Sequence, residues 1–469
     1  MKTQSRIKLS LALIFTVISF LILVPPHANL GLTLFISLQI IIVSIFLPKS
    51  KKLLMLLPIF LISLSYTISD NPLWRQTNFL AILIFLSITI LLIIDEFIYK
   101  DSLLGFVKRI TFNIFKPLDN FVKPLIWSEE IIKEETKRKE LKRILLGILI
   151  SLPIAGITLI FLTSADMIFA RTVEATLSKI FGLFSASIYY RIVYSFVIGF
   201  YLFGVIYLVL THQKEVKTGA IKVPKKKDTL IFNIVLSVIL IIYSIFIIIQ
   251  FKYLFAGGKL PYGLSYAEYA RRGFFELLML SGLNIGLILL SCEFKVQRTA
   301  KVDKVNNSLL YTLCTVTIIL LSSSFYRMYL YSSDFGLTRL RLYVFTFLAF
   351  ELTGLLITYF YIRKPQFNIL LVYTALCLSF YVLLNIMPAD YLIAKNLMNK
   401  HQKEPDFNIS YVMTLSLDAA PIVEKLLDTP EYGPAAQRYF ENNLKNCEKD
   451  WRSYNLACER AEKLSEKLK

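Results

Sequence analysis

The chain has 469 residues, of which 56% are hydrophobic and only 18% are charged, and its formal net charge is +19. A soluble domain of this size carries more charge and fewer apolar side chains, so the composition excludes an ordinary soluble globular protein. The apolar residues form stretches of about 20 residues, the length that a helix needs to cross a bilayer. A lone strand would leave its backbone unpaired in lipid. The sequence therefore predicts an all-α, polytopic integral membrane protein.

In chain order, eleven apolar stretches predict transmembrane helices. Basic residues precede the first stretch, as in a signal peptide, but no small-residue cleavage site follows it, so it is predicted to remain as a helix. Four spans then lie within residues 1–98 and seven within 144–386. The eleven predicted spans cover residues 8–24, 28–47, 52–69, 77–98, 144–163, 188–210, 230–250, 273–292, 308–329, 341–361 and 367–386.

The basic residues are distributed unevenly between alternate loops. With the N-terminus in the cytoplasm, the inner segments contain 29 Lys and Arg and the short outer loops contain 9. This asymmetry follows the positive-inside rule. It predicts a multi-pass protein of the cell membrane with a cytoplasmic N-terminus and an extracytoplasmic C-terminal tail at 387–469. The tail carries 12 basic and 13 acidic residues, so the positive charge belongs to the membrane part.

This positive charge has two readings, nucleic-acid binding and contact with the membrane. We favour the second, in which the basic loops set the topology and contact anionic lipids of the inner leaflet. The predicted partners are therefore the bilayer and anionic inner-leaflet lipids, without nucleic acid. In the cytoplasmic segment 99–143, large apolar residues alternate with Lys108, Arg109 and Lys116, which predicts helices lying in the interface. A charged, solvated helix is predicted to follow them.

The tail is predicted to form a small helical domain, in which Asp390 caps a helix that begins at Tyr391. It also contains Cys447 and Cys458. On one straight helix these cysteines would lie about 16 Å apart, too far for a bond, whereas a turn between them would bring them together. A disulfide would suit an exported tail. Both arrangements remain open from the sequence, as does a protein partner bound to the tail.

No catalytic, cofactor or metal signature is visible. The three histidines, His27, His212 and His401, are predicted on separate segments, which argues against a histidine metal site. The chain has no phosphate-binding loop, no dinucleotide-binding glycine pattern and no Gly-x-Ser-x-Gly motif. We therefore predict no catalytic residue, metal or cofactor. Gly282 and Gly286, spaced as GxxxG, predict a helix-packing face.

Charge at membrane depth is the sharpest functional signal. Glu351 lies in the middle of the tenth predicted span, where an ionisable group costs about 2.5–3.5 kcal/mol on insertion scales. We predict a polar cavity that opens outward from spans eight to ten, with Arg327 facing Glu276 or Glu351. Its ligand would be anionic or zwitterionic, such as a lipid headgroup, or Glu351 would carry protons. A buried structural ion pair is the alternative. The predicted ligand-binding set is Glu268, Arg271, Arg272, Glu276, Arg327, Asp334, Arg339, Arg341 and Glu351.

Several of these residues belong to long motifs. Residues 265–278 read SYAEYARRGFFELL, residues 324–331 read SFYRMYLY, and residues 335–342 read FGLTRLRL. Residues 393–396 (IAKN) and 415–419 (LSLDA) follow in the tail. Together they resemble the signatures of a bacterial multi-spanning membrane family catalogued as a domain of unknown function, over about residues 145–460. The resemblance implies fold and location, but no activity.

Three functions fit these patterns. The first is transport or handling of a lipid or small solute at spans eight to ten. The second is a sensor or scaffold that acts through the exported tail. The third is an envelope transferase, for which Glu268, Glu276 and Asp334 are the outward-facing carboxylates. An enzyme is the least supported of the three, because no motif for such chemistry accompanies the carboxylates.

Overall fold

In the computed structural model of the protein, the regular secondary structure of the described part consists only of helices, without a β-strand. Nine described helices are long and apolar enough to cross a membrane. The predicted all-α polytopic class is therefore confirmed. The described residues are 3–94, 103–121, 123–124, 186–215, 229–250, 274–294, 300–364, 367–445 and 447–465, with isolated positions at 158, 162, 166, 169 and 172.

The first half of the chain contains six described helices. A 3-10 helix, Lys51–Leu56, leads into the third, and another, Lys116–Asn120, follows the fifth. Their bounds are α1 Thr3–Leu23, α2 Leu30–Phe46, α3 Leu57–Ile68, α4 Pro72–Ile94, α5 Leu103–Phe115 and α6 Ala186–Glu215.

The second half contains nine described helices, of which the last four belong to the tail. These are α7 Thr229–Gln250, α8 Phe274–Phe294, α9 Ala300–Phe335, α10 Arg339–Arg363, α11 Ile369–Ile386, α12 Ala389–Lys403, α13 Ala420–Val423, α14 Gly433–Leu444 and α15 Leu456–Ser465.

Most of the predicted spans correspond to these helices. The second is shorter than predicted, because α2 has only 17 residues. The ninth is longer, because α9 has 36 residues and so extends about 54 Å, well beyond about 30 Å of hydrocarbon. The predicted span at 144–163 and most of the charged helix before it lie outside the described residues.

Helices α1–α4 and α6 form what we call the N-terminal bundle. In it α1 packs along α6 and α2 packs on α3. Its core is aliphatic and aromatic, with Leu9, Phe35, Ile59, Ile62 and Phe203 almost fully buried. Burial of such side chains supplies the packing that holds helices together in a membrane, where water does not drive their association.

Helices α7–α10 form the C-terminal bundle. Here α9 packs against α7, α8 and α10. Ile288, Leu310, Leu313 and Leu355 are completely or almost completely buried in its core. Helix α11 contacts both α3 and α10, so it joins the two bundles.

The ends of the helices define two opposite faces. On one face the tail contacts three loops, since Asn29 N–H donates to the Arg452 carbonyl, Asn455 Nδ2 donates to the Ser69 carbonyl, and Leu337 N–H donates to Asn396 Oδ1. We call this the tail face. On the other face α5 packs through Phe106 beneath α4, α8 and α11. We call that the α5 face.

The tail has a hydrophobic core of its own, formed by α12–α15 and the turns between them. Cys447 and Cys458 are joined in a disulfide with Cα atoms 5.9 Å apart, because the turn at Trp451–Ser453 reverses the chain between them. The predicted helix cap at Asp390 was wrong. Pro388 occupies the cap position of α12, and Asp390 lies in the first turn with a fully buried side chain.

Candidate functional site

Glu351 is the buried acid of the C-terminal bundle. It lies twelve residues from each end of α10, and only 5% of its surface is exposed. Its Oε2 is 2.5 Å from Ser281 Oγ of α8. A carboxyl at mid-membrane is costly unless a partner or water accompanies it. Ser281 is that partner in this structure, so the acid links α8 and α10 at the centre of the bundle.

The Ser281 hydroxyl has two acceptors but a single proton. Besides Glu351, it lies 2.6 Å from the Leu278 carbonyl oxygen. A carbonyl oxygen cannot donate, whereas a protonated carboxyl can. Both contacts are full hydrogen bonds only when Glu351 carries the proton and donates it to Ser281. An ionised Glu351 must share the hydroxyl proton with the carbonyl, so the two protonation states of this acid differ in hydrogen bonding.

The second carboxyl oxygen of Glu351, Oε1, lies beside Gly282 of α8. A Cβ placed on Gly282 would have a single neighbour within 4 Å, Glu351 Oε1 at 3.6 Å, and one on Gly286 would meet nothing. Among the described residues, Gly282 thus contacts α10 only through Glu351, and no atom lies within 4 Å of the Cβ position of Gly286, so the helix-packing role of this GxxxG stays a prediction. Gly282 is itself exposed in the described part of the chain. Glu351 Oε1 therefore lies close to an exposed part of α8, which we call the opening at Gly282.

A chain of hydrogen bonds runs across the bundle next to this acid. Tyr243 of α7 donates its hydroxyl proton to Asn284 Oδ1 at 2.9 Å, and Asn284 Nδ2 donates to Thr317 Oγ1 of α9 at 3.0 Å. Asn284 follows Ser281 by one helical turn on the same buried face. The face of α8 that contacts Glu351 is thus polar over about one turn, from Ser281 to Asn284.

Arg327 is the buried cation of the same bundle. It belongs to α9, and 4% of its surface is exposed. Guanidinium groups are always charged in proteins, so this residue brings a fixed positive charge to the outer part of the predicted span. Of the predicted set, the C-terminal bundle therefore buries the acid Glu351 and two bases, Arg327 and Arg341.

Arg339 is paired with the tail rather than with a buried acid of the bundle. Its Nε and Nη2 donate to the two carboxylate oxygens of Asp390 at 2.7 and 2.5 Å. Ser416 also donates to Asp390, through its backbone N–H at 2.9 Å and its hydroxyl at 2.6 Å. The bidentate pair attaches the start of α10 to α12.

Arg341 also has a local structural role. It is 9% exposed, and its Nη1 donates to the Gly336 carbonyl just beyond the end of α9. Its guanidinium also lies 4.1 Å from the centre of the Tyr331 ring. Both contacts hold the α9–α10 connection together, as expected for a cation near a helix C-terminus.

Asp418 completes a polar clamp between the tail and both bundles. Its Oδ2 accepts from Ser69 Oγ at 2.5 Å, from Asp70 N–H at 3.2 Å and from Ser416 Oγ at 3.3 Å. Ser69 and Asp70 connect α3 to α4, whereas Arg339 begins α10. We use the term clamp for Arg339, Asp390, Ser416, Asp418, Ser69 and Asp70.

The acids of the clamp differ in pKa. Burial raises the pKa of Asp418 to about 6, against the opposing hydrogen bond from Ser69. Burial also raises the pKa of Asp70, with Arg75 opposing. For Asp390, hydrogen bonds from Arg339 and Ser416 outweigh burial and hold its pKa below the usual value. The clamp therefore contains one acid that is stabilised in its charged form and two that are not.

The remaining predicted ligand residues are not assembled around Glu351 by the described structure. Glu276 is exposed in the first turn of α8, and Asp334 is exposed near the end of α9. Glu268, Arg271 and Arg272 lie outside the described residues. Within the described ranges, no three His, Cys, Asp or Glu side chains are grouped to hold a metal ion.

Sequence reasoning did not identify Ser281, Asp390, Ser416 or Asp418 as partners. Ser416 and Asp418 belong to the tail motif LSLDA, so that motif was a usable signal for a polar site. Ser281 had no comparable signal. Serine is common in apolar helices, and only the packing of α8 on α10 places it against Glu351.

Comparison with known proteins defines the class of this chain. Residues 56–426 match the family described as a domain of unknown function, DUF4153. The chain belongs to this family, as its motifs indicated, although the match begins earlier and ends sooner than residues 145–460. No curated protein matches the chain. No solved structure matches it either.

Proposed function

We propose that this protein is a proton-coupled transporter of the cell membrane, with Glu351 as the group that carries the proton. The single observation behind the proposal is the position of this acid, buried midway along α10 with one oxygen hydrogen-bonded to Ser281 and the other behind the opening at Gly282. A glutamine would make similar contacts at lower cost in lipid. Intramembrane acids in such positions are typical of proton relays.

The substrate in this proposal is a small anionic or zwitterionic solute, or the headgroup of a lipid. Arg327 supports this choice, because it supplies a buried positive charge in the same bundle as Glu351. Arg339 and Arg341 lie at the start of α10 and contact Asp390 and the Gly336 carbonyl, so they belong to the connection with the tail. In this mechanism, Glu351 would gain and lose its proton through the opening at Gly282, and this exchange would accompany movement of the solute.

The decisive experiment compares wild-type protein with Glu351→Gln in liposomes under an inward proton gradient. Currents on a solid-supported membrane are recorded with acetate, phosphate and glycine as solute probes. Fluorescent phosphatidylethanolamine with a dithionite quench tests movement of a lipid headgroup. We expect at least one probe to move in the wild type, and the proton-driven rate to fall at least tenfold in Glu351→Gln.

Thr353→Val is a matched control, because it removes a polar atom from the exposed face of α10 at nearly the same depth. We expect it to behave as wild type. If Glu351→Gln moves every probe at the wild-type rate but unfolds at a lower temperature, Glu351 is a structural link between α8 and α10. If no probe moves in the wild type, the proposal of transport fails for these classes of solute.

We also propose that the tail face is extracytoplasmic. Loops predicted as outer lie together with the tail, and a disulfide between Cys447 and Cys458 is typical of an oxidising compartment. After mild reduction of intact cells, a membrane-impermeant maleimide should label these cysteines. Labelling that requires cell lysis would place the tail in the cytoplasm instead.

A sensor or scaffold is the second candidate. The tail has its own core and reaches both bundles through the clamp, so a partner bound to the tail could alter their relative position. In that case, loss of the tail would abolish function and Glu351→Gln would not. An envelope transferase is the third candidate, and its carboxylates Glu276 and Asp334 lie exposed on separate helices.

A further inference from the structure

A groove on the α5 face lies between α4, α6 and the turn that follows α5. Its empty volume, which includes the open space at its mouth, is about 480 Å³. The floor is aliphatic and includes Ile90, Leu91 and Val209, whereas Asn113, Lys116 and Thr211 form a polar rim. A surface that is apolar below and cationic at one edge has the polarity of a phospholipid with an anionic headgroup.

Helix α5 places this groove at the level of lipid headgroups. Phe106 is buried against the spans, whereas Val107, Phe112, Phe115 and Leu118 are exposed, each by at least 45% of its surface. An amphipathic helix with such a face lies in the membrane interface. Residues 103–120 carry Lys108, Arg109 and Lys116 against a single acid, Asp119, and this net positive charge favours a negatively charged surface.

The rim of the groove is held in place by a close approach of two backbones. A Cβ on Gly204 of α6 would overlap the carbonyl of Pro117, so only glycine lets the 3-10 helix Lys116–Asn120 pack this closely on α6. The half-buried Lys116 is adjacent to that contact, and its Nζ lies 5.2 Å from the Phe112 ring centre. The cation is therefore positioned beside the groove on an anchored segment of the chain.

We infer that this groove binds one anionic phospholipid, with an acyl chain on the floor and the phosphate at Lys116. The inference does not depend on Glu351 or on transport. It assigns the predicted contact with anionic lipid to a particular site, where a lipid would bridge α4, α6 and the interfacial segment. The proposed ligand is a phosphate ester attached to a hydrocarbon chain. The test must therefore separate the contribution of the phosphate from that of the chain.

Native mass spectrometry and thermal unfolding of the full chain in neutral detergent provide the test. The probes are phosphatidylglycerol, phosphatidylcholine with identical chains, and inorganic phosphate. We expect phosphatidylglycerol to remain bound and to raise the unfolding temperature more than phosphatidylcholine does, and phosphate alone to have no effect. Lys116→Ala should weaken phosphatidylglycerol binding about fivefold, the effect of one lysine near an anionic lipid surface.

Lys116→Arg should retain the wild-type affinity, because it preserves the charge. Lys49→Ala is the matched control, since Lys49 is an exposed lysine near the start of α3 that does not line the groove. Equal binding of both lipids by the wild type would overturn the inference. Equal losses in Lys116→Ala and Lys49→Ala would also overturn it, in favour of diffuse surface charge. Stabilisation by phosphate alone would indicate an anion site without a lipid.

Discussion

The two bundles bury polar groups in different ways. In the described part of the N-terminal bundle, every buried polar residue is uncharged, whereas the C-terminal bundle buries Glu351, Arg327 and Arg341. Asn78 shows how the neutral groups are satisfied, since its Nδ2 donates to Ser65 Oγ and Asn385 Oδ1 and its Oδ1 accepts from Tyr381. Neutral pairs of this kind specify packing at small cost.

This difference distinguishes a bundle that needs only stability from a bundle that would also carry out the proposed function. A neutral hydrogen bond is sufficient to align two helices, so a bundle that needs only stability has no use for a buried charge. Buried ions cost more in lipid and are retained where they move protons or bind charged ligands. Under the proposed function, the N-terminal bundle is the scaffold and the C-terminal bundle is the active part, with the clamp connecting both to the tail. Four predictions test this division.

The largest effect is expected from breaking the clamp. Asp390→Asn leaves Arg339 without its charged partner, and loss of one member of a buried pair costs about 3–5 kcal/mol. Because Arg339 is partly exposed, we expect about 3 kcal/mol, with early proteolysis of the tail during thermal unfolding. Glu404→Gln neutralises an exposed acid that lies 4.0 Å from Lys400 and should cost at most about 0.5 kcal/mol. Equal costs would show that the clamp does not hold the tail.

The second effect is a pH dependence from Asp418. Because its pKa is raised in the folded protein to about 6, the folded state binds more protons than the unfolded state between pH 3.8 and about 6. Stability should therefore fall as the pH rises through this window, by about 3 kcal/mol at most, and stay level above it. Unfolding temperatures measured from pH 4 to pH 8 test this. Asp418→Asn should flatten the profile, and an unchanged profile would assign the dependence to another group.

A third, smaller effect compares one asparagine from each bundle. Asn78→Ala and Asn284→Ala each remove hydrogen bonds from a buried network, so each should cost about 1–2 kcal/mol. Only Asn284→Ala should also change the proton-driven flux, because Asn284 lies one turn from Ser281. Unfolding temperature and flux are measured on the same preparations. If Asn78→Ala reduces flux as strongly, the scaffold and active bundles are not distinct.

The smallest effect on stability is expected at the opening beside Glu351. A Cβ at Gly282 meets Glu351 Oε1 at an ordinary contact distance of 3.6 Å, and one at Gly286 meets nothing. Gly282→Ala and Gly286→Ala should each stabilise α8 by up to about 1 kcal/mol. Gly282→Ala should slow proton-driven flux, and Gly286→Ala, as its control, should not. Equal flux in both would mean that protons reach Glu351 by another route.

The spans and the buried acid were accessible from sequence because both depend on local properties. Hydrophobicity over about 20 residues identifies a span, and a carboxyl in the middle of such a stretch, such as Glu351, is conspicuous. The hydrogen-bond and ion-pair partners of the charged residues could not be identified from the sequence. Arg339 was grouped with Glu351 because it lies in the loop just before the tenth predicted span, yet it binds Asp390 of the tail. Asp418 binds Ser69, which is 349 residues away in the sequence.

The amino-acid order alone thus established a helical membrane protein with an exceptional acid in its tenth predicted span, since the bilayer requires each apolar segment to satisfy its own backbone. The identity of the partners was decided only when the helices packed. Side-chain hydrogen bonds between distant segments depend on which helix faces meet. The hydropathy of the sequence does not indicate which faces these are. Only the tertiary structure produces the contact between Ser281 and Glu351, the clamp on the tail face and the groove beside Lys116.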